Sequence, residues 1–148
     1  MRTQTVTQFF RAYEQRINDA LADPESIEVP AMTAAYTESF LEANPKGVQV
    51  FQNDEQYAEA LKPAFENQRR IGTKSMSITS IHTFKMDDLH AAAAIHWRAV
   101  YCRQKDGKEI SIDFDETYLL QFIGDTPRIF AYIAGDEEAA LKEHDLID

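Results

Sequence analysis

Basic residues are scarce in this chain, cysteine is nearly absent, and long apolar runs are missing altogether. Fifteen Lys and Arg stand against twenty-five Asp and Glu, a net charge of −10. A field of that sign repels phosphate backbones and anionic lipid, which argues against nucleic acid and membrane surfaces as partners. The single cysteine, Cys102, excludes an internal disulfide, and its place in a β-rich run suits a small apolar filler. No stretch reaches the roughly 18 apolar residues expected of a membrane helix. Met1 to Phe10 also lacks the basic segment followed by an apolar one that marks a signal peptide. The expected location is the cytoplasm.

Motifs for cofactors are missing too. The four histidines, His82, His90, His96 and His144, show no HxxxH or HxH spacing, so no zinc or iron site is expected. There is no glycine-rich phosphate loop and no nucleophile elbow. Asp113-Phe114-Asp115-Glu116 lacks the Gly-centred turn of a calcium loop. No cofactor is expected.

What is present describes a folded domain. The 148 residues are 44% hydrophobic and 27% charged, ordinary values for a globular protein and enough chain for one core. A single domain over 1–148 is the expectation. Thr3 or Thr5 can cap a first helix whose stripe is Val6, Phe9, Phe10, Tyr13, Ile17 and Leu21. Asp23-Pro24 closes it. A second helix is expected from Pro30, with Met32, Ala35, Tyr36 and Ser39 inward, followed by extended chain from Phe40 to Asn44. Pro45-Lys46-Gly47 turns the chain into a short edge strand at Val48–Phe51. A third helix starts at Asn53 with Gln56 completing a capping box. Tyr57, Leu61, Ala64, Phe65 and Ile71 line its buried face, and Gly72 terminates it.

The remainder reads as a meander. Strands are expected over 74–86, 91–103, 109–123 and 128–134, with Asp106-Gly107 as the hairpin signal between the middle two. A short helix follows between Asp136 and His144. Helices gathered before consecutive antiparallel strands make an α+β two-layer domain. The last two strands are apolar at both parities, so both faces of the sheet need cover there. The helices cover one face, and the other needs the C-terminal segment or a second subunit; a homodimer packed through the outer sheet face is the expectation.

A tyrosine on the first helix, a Pro-x-Gly turn after the first strand, a Trp-bearing strand and then Asp-Gly recur here in one order. On those features the chain, from about Val6 to Ile133, resembles the nuclear transport factor 2-like superfamily, which includes ketosteroid isomerase and SnoaL-like polyketide cyclases. The resemblance implies three N-terminal helices packed on the concave face of a strongly curved antiparallel sheet, a cystatin-like cone. It also implies an apolar pocket between the layers. In the isomerase a carboxylate shuttles a proton while a tyrosine and a protonated Asp stabilise the enolate oxygen. Here the position of that carboxylate falls on Asn44, and an amide cannot abstract a proton near neutral pH. Tyr13 matches the oxyanion tyrosine, with Ile17 one turn later as the alternative. Tyr118 falls near the second donor. Steroid isomerisation by the known route is therefore not expected.

Parity supplies further candidates. If Ile112, Phe114, Tyr118, Leu120 and Phe122 face inward, so does Glu116, and a carboxylate in an apolar pocket has a raised pKa suited to acid–base work. The alternatives are a bulge that turns Glu116 outward, or pairing with Arg98 or Arg103. Trp97 and Tyr101 share a face with Ile95 and Ala99, as pocket wall or plain core. His82 shares the parity of Met76, Ile78 and Phe84, as a partner for Glu116 or as hydrogen-bonded core. His96 and Arg98 fall on the opposite face. The proposed catalytic groups are Glu116, Tyr118 and Tyr13. The proposed ligand contacts are these three with Tyr36, Asn44, Phe65, His82, Trp97 and Tyr101. The expected ligand is a small hydrophobic molecule, taken up with isomerase, cyclase or dehydratase-type chemistry. The alternative is a non-catalytic homodimeric interaction module.

Overall fold

The computed structural model describes residues 2–148. Helix α1 (Arg2–Ala22) leads through a short 3-10 turn (Pro24–Ser26) to α2 (Val29–Ala34), then strands β1 (Tyr36–Asn44) and β2 (Gly47–Gln52). Helix α3 (Glu55–Ile71) precedes β3 (Thr73–Lys85), β4 (His90–Cys102), β5 (Glu109–Ile123), β6 (Thr126–Ile133) and a last helix, α4 (Glu137–Glu143). The strands form one sheet in the order β2-β1-β6-β5-β4-β3. This is an α+β fold with the N-terminal helices packed on a six-stranded sheet and a short C-terminal helix. The sheet is mixed rather than wholly antiparallel: β1 runs parallel to β6, joining the β1–β2 hairpin to the meander.

Local chemistry moves several boundaries. Helix α1 begins at Arg2, so Thr3 and Thr5 lie inside its first turn and do not cap it. Helix α2 ends at Ala34, and Tyr36 and Ser39 belong to β1 rather than to a helical face. The cap of α3 is Asp54, which accepts from Tyr57 N at 2.9 Å. Asn53 is instead spent on loop carbonyls, donating to Thr33 O at 2.7 Å and Tyr36 O at 3.2 Å. Gly72 does end α3, with φ of 103°. A Cβ there would meet Cys102 O at 2.1 Å, so both the left-handed backbone and the close approach require glycine.

Helix α1 is fastened to the sheet edge by polar groups as well as by its apolar stripe. Strand β3 pairs only with β4, which leaves a row of edge groups to satisfy. Asn18 takes the place of a missing strand: its Nδ2 donates to Met76 O at 2.7 Å and its Oδ1 accepts from Met76 N at 2.9 Å. Glu14 accepts from Ile78 N, and Arg11 donates to Ile78 O at 3.2 Å. The main core lies beneath α1, where Val6, Phe10, Ile95, Trp97, Leu120 and Ile129 are fully buried.

Two bulges set the side-chain faces. In β3 the register shifts between Ile78 and Ser80, so the inward set continues at Ile81 rather than at Ser80. His82 then turns outward and is exposed, with its ring edge-on to His96. The expected inward His82 is corrected on that ground, because an extra residue reverses a period of two. In β6 the register shifts around Phe130, which leaves Ile129 opposite Leu120 and Tyr132 opposite Tyr118. Tyr132 therefore joins the inner face.

Leu41, Val48, Val50, Ile133 and Phe84 remain on the outer side, between 39% and 70% exposed. Cross-strand pairing connects the first four, Leu41 with Val50 and Ala43 with both Val48 and Ile133. Among the described residues, no helix is long and apolar enough to cross a membrane.

Candidate functional site

Between the helices and the inner face of the sheet lies a cavity of about 570 Å³. Ile17 and Leu21 of α1, Phe65 of α3, Met76 of β3 and Phe114 of β5 supply apolar wall. Leu141 of α4 closes the far end, where α4 packs over Ala99 and Tyr101. The Asp106-Gly107 loop fixes that closure indirectly. Arg103 pairs with Asp106 at 2.8 Å and donates to His144 O at 2.9 Å, tying the loop to the end of α4.

Two of the carboxylates that line the cavity, Glu116 and Glu42, come from the inner face of the sheet. Glu116 on β5 accepts from Tyr118 at Oε2, 2.9 Å away, and its Oε1 takes no hydrogen bond from a described residue. Arg98 and Arg103 leave it alone, because they pair with Asp113 and Asp106. Burial pushes Glu116 from about 4.5 up to about 7; Glu137 and Glu42 push the same way, while the Tyr118 hydrogen bond opposes them. At neutral pH both protonation states are populated, which suits a group that gives and takes a proton.

Glu42 on β1 is the second carboxylate, and both its oxygens are occupied. Tyr132 donates to Oε1 at 2.7 Å and Asn44 donates from Nδ2 to Oε2 at 2.8 Å. Asn44 Oδ1 in turn accepts from Lys46 N at 2.8 Å. Asn44 thus holds its neighbour two residues back on the same strand face and braces the turn.

The sequence candidates separate into two groups. Asn44, Phe65, Tyr101 and Glu116 line the cavity, and so does Ile17. Tyr13, Tyr36, Trp97 and Tyr118 do not line it; they form an adjoining closed aromatic layer. Tyr13 and Tyr36 share a hydrogen bond of 2.5 Å between their hydroxyls. The ring of Tyr13 lies 6.3 Å from Trp97 and 6.1 Å from Tyr118. Trp97 is 1% exposed and its Nε1 has no hydrogen-bond partner among the described residues. Burial raises the hydroxyls of Tyr13, Tyr36, Tyr118 and Tyr132 well above the ordinary phenol value, so they remain protonated donors at neutral pH. Tyr101 is likewise pushed up to about 12 by burial, with Glu137 adding to it.

Glu42 and Tyr132 were missed from sequence. The signal for Glu42 was available, since Phe40, Glu42 and Asn44 alternate onto one face. No local signal marked Tyr132, because the bulge at Phe130 shows only in the pairing with β5.

Comparison with known proteins agrees with this architecture. A solved NTF2-like protein of unknown function from Shewanella oneidensis superposes with a TM-score of 0.61 at 16% identity, covering 92% of this chain and 100% of that one. Aln2 from a Streptomyces species superposes at 0.64 with 11% identity, covering 95% and 94%. A ketosteroid isomerase-like protein from Erwinia carotovora atroseptica gives 0.57 at 12%, covering 90% and 91%. At these identities the likeness is one of fold. No curated protein matches the sequence. The family described as NTF2-like protein (DUF6841) matches residues 3–137, and the chain belongs to that family.

Proposed function

We propose that the cavity binds a small, largely apolar molecule and that Glu116 exchanges a proton with it. The carrying observation is Glu116 itself: a carboxylate held near pH 7 on the wall of a cavity of about 570 Å³, with one oxygen that takes no hydrogen bond from a described residue. A cavity of that size with few convergent polar groups is what ligand sites provide. Tyr118 orients the carboxylate, and the phenols behind it are hydrogen-bond donors that stay neutral. This fits isomerase, cyclase or dehydratase-type chemistry, in which a proton moves between carbon and a nearby oxygen. Asn44 cannot be the base. Glu42, with both oxygens already bonded to Tyr132 and Asn44, is a hydrogen-bond acceptor two strands away on the same inner sheet face.

A second reading has its own support. The apolar outer face formed by Val48, Val50, Leu41 and Ile133 suits a homodimer packed through the sheet. A dimer serves an interaction module as well as an enzyme, so the cavity decides between the two. The test is calorimetric titration with 2-naphthalenemethanol, a neutral apolar probe, against the wild type and Ala140→Trp. Ala140 sits on the cavity wall, and indole there fills the space. Saturable binding that Ala140→Trp abolishes supports the ligand site. Absence of binding, or binding that Ala140→Trp leaves intact, favours the module.

A further inference from the structure

The charge on the cavity wall is one-sided. Six carboxylates line it, Glu42, Asp113, Glu116, Asp136, Glu137 and Glu138, against the single cation Lys46. Lys46 is already engaged, 2.8 Å from Glu138, and Asp113 is engaged by Arg98. That leaves Glu42 and Glu116 on one inner sheet face with β6 between their strands, each in the other's field, with Glu137 near Glu116. Burying carboxylates together is unfavourable unless a positive charge joins them.

We infer that the ligand is an organic cation, a hydrophobic amine whose ammonium lies between Glu42 and Glu116 while its apolar body fills the space toward Phe65, Phe114 and Tyr101. This inference rests on the ligand-site reading above and narrows its chemical class. Three observations support it. Glu116 Oε1 has no donor among the described residues, and an ammonium supplies one. The walls carry aromatic rings, among them Phe114, whose ring stacks at 6.4 Å on Trp97, and aromatic faces favour cations over anions. No three His, Cys, Asp or Glu side chains among the described residues are grouped to hold a metal ion. A pair of carboxylates, Glu42 and Glu116, matches the three N–H donors of one ammonium rather than the larger ligand set a metal ion takes. The acidic rim also steers cations inward and repels carboxylate or phosphate ligands.

The test uses three probes of one shape, 2-naphthylmethylamine, 2-naphthalenemethanol and 2-naphthoate, titrated calorimetrically into the full chain at about pH 8, where Glu116 is ionised. The expected result is amine binding at least tenfold tighter than alcohol binding, with no detectable binding of the acid. Glu42→Gln and Glu116→Gln should each remove most of the amine's advantage over the alcohol. The two isosteric variants act on different strands, so a folding failure in one leaves the other decisive. Equal binding of amine and alcohol, or preferential binding of the acid, overturns the cation inference and preserves the apolar site. Failure of all three probes overturns both.

Discussion

Tyr118 donates its hydroxyl to Glu116 Oε2 at 2.9 Å, from two residues further along the same face of β5. The bond runs from a buried phenol to a carboxylate on the cavity wall, and it joins the closed aromatic layer to the cavity. It favours the ionised form of Glu116, yet burial outweighs it and the carboxyl still sits near 7. Removing the donor therefore has a defined sign. In Tyr118→Phe the Glu116 pKa rises above 7, and any rate limited by the ionised carboxylate shifts its midpoint to higher pH. Carbon-13 detection of the Glu116 carboxyl against pH reads this directly, and a fall would contradict it.

Glu116 also has a consequence for stability. Its folded pKa of about 7 lies above the unfolded value near 4.5, so the folded state holds the proton more tightly. That stabilising contribution is complete below about pH 4.5 and is lost as pH rises through 7. Glu116→Gln keeps an acceptor for Tyr118 and cannot ionise. Its stability advantage over the wild type should be near zero at about pH 4, grow between the two pKa values and level off at about 3 kcal/mol by pH 8. Denaturant unfolding at several pH values checks this, and an advantage independent of pH would refute it.

Of the five glycines, Gly72 alone leaves no room for a Cβ. Gly72→Ala places a methyl group 2.1 Å from Cys102 O in a left-handed backbone conformation. Unfolding free energy should drop by about 2 kcal/mol or more, and α3 with its Phe65 should lose register against β4. Chemical denaturation gives the magnitude, and a loss within about 0.5 kcal/mol would show that the junction relaxes freely.

The outer sheet face predicts association. Sedimentation at micromolar concentration should return a dimer mass for the wild type, and Ile133→Glu, at a position 53% exposed, should return a monomer with unchanged helix and sheet content. A monomeric wild type would refute the dimer.

The layers of this fold were legible in sequence because periodicity carries them. The stripe from Val6 to Leu21, the alternation around Trp97 and the span of β5 from Glu109 to Ile123 all appear in the structure. Where sequence reading failed, the cause was pairing rather than propensity. One extra residue at Thr79 turned His82 to solvent, and another at Phe130 turned Tyr132 inward. Bulges of this kind are set by the partner strand and leave no dependable local mark. Tyr36 was misread because a six-residue helix ends just before it, too short to leave a clear period. Glu42 was legible, since it alternates with Phe40 and Asn44 onto one face of β1.

The proposed chemistry requires Glu116 to titrate inside the cavity. The Glu116 carboxyl is followed by carbon-13 resonance against pH, with and without saturating 2-naphthalenemethanol. The account predicts a midpoint at about 7 in the free protein and a higher one with the neutral probe bound, because the probe displaces water from the charged form. A midpoint near 4.5, unmoved by the probe, would contradict it.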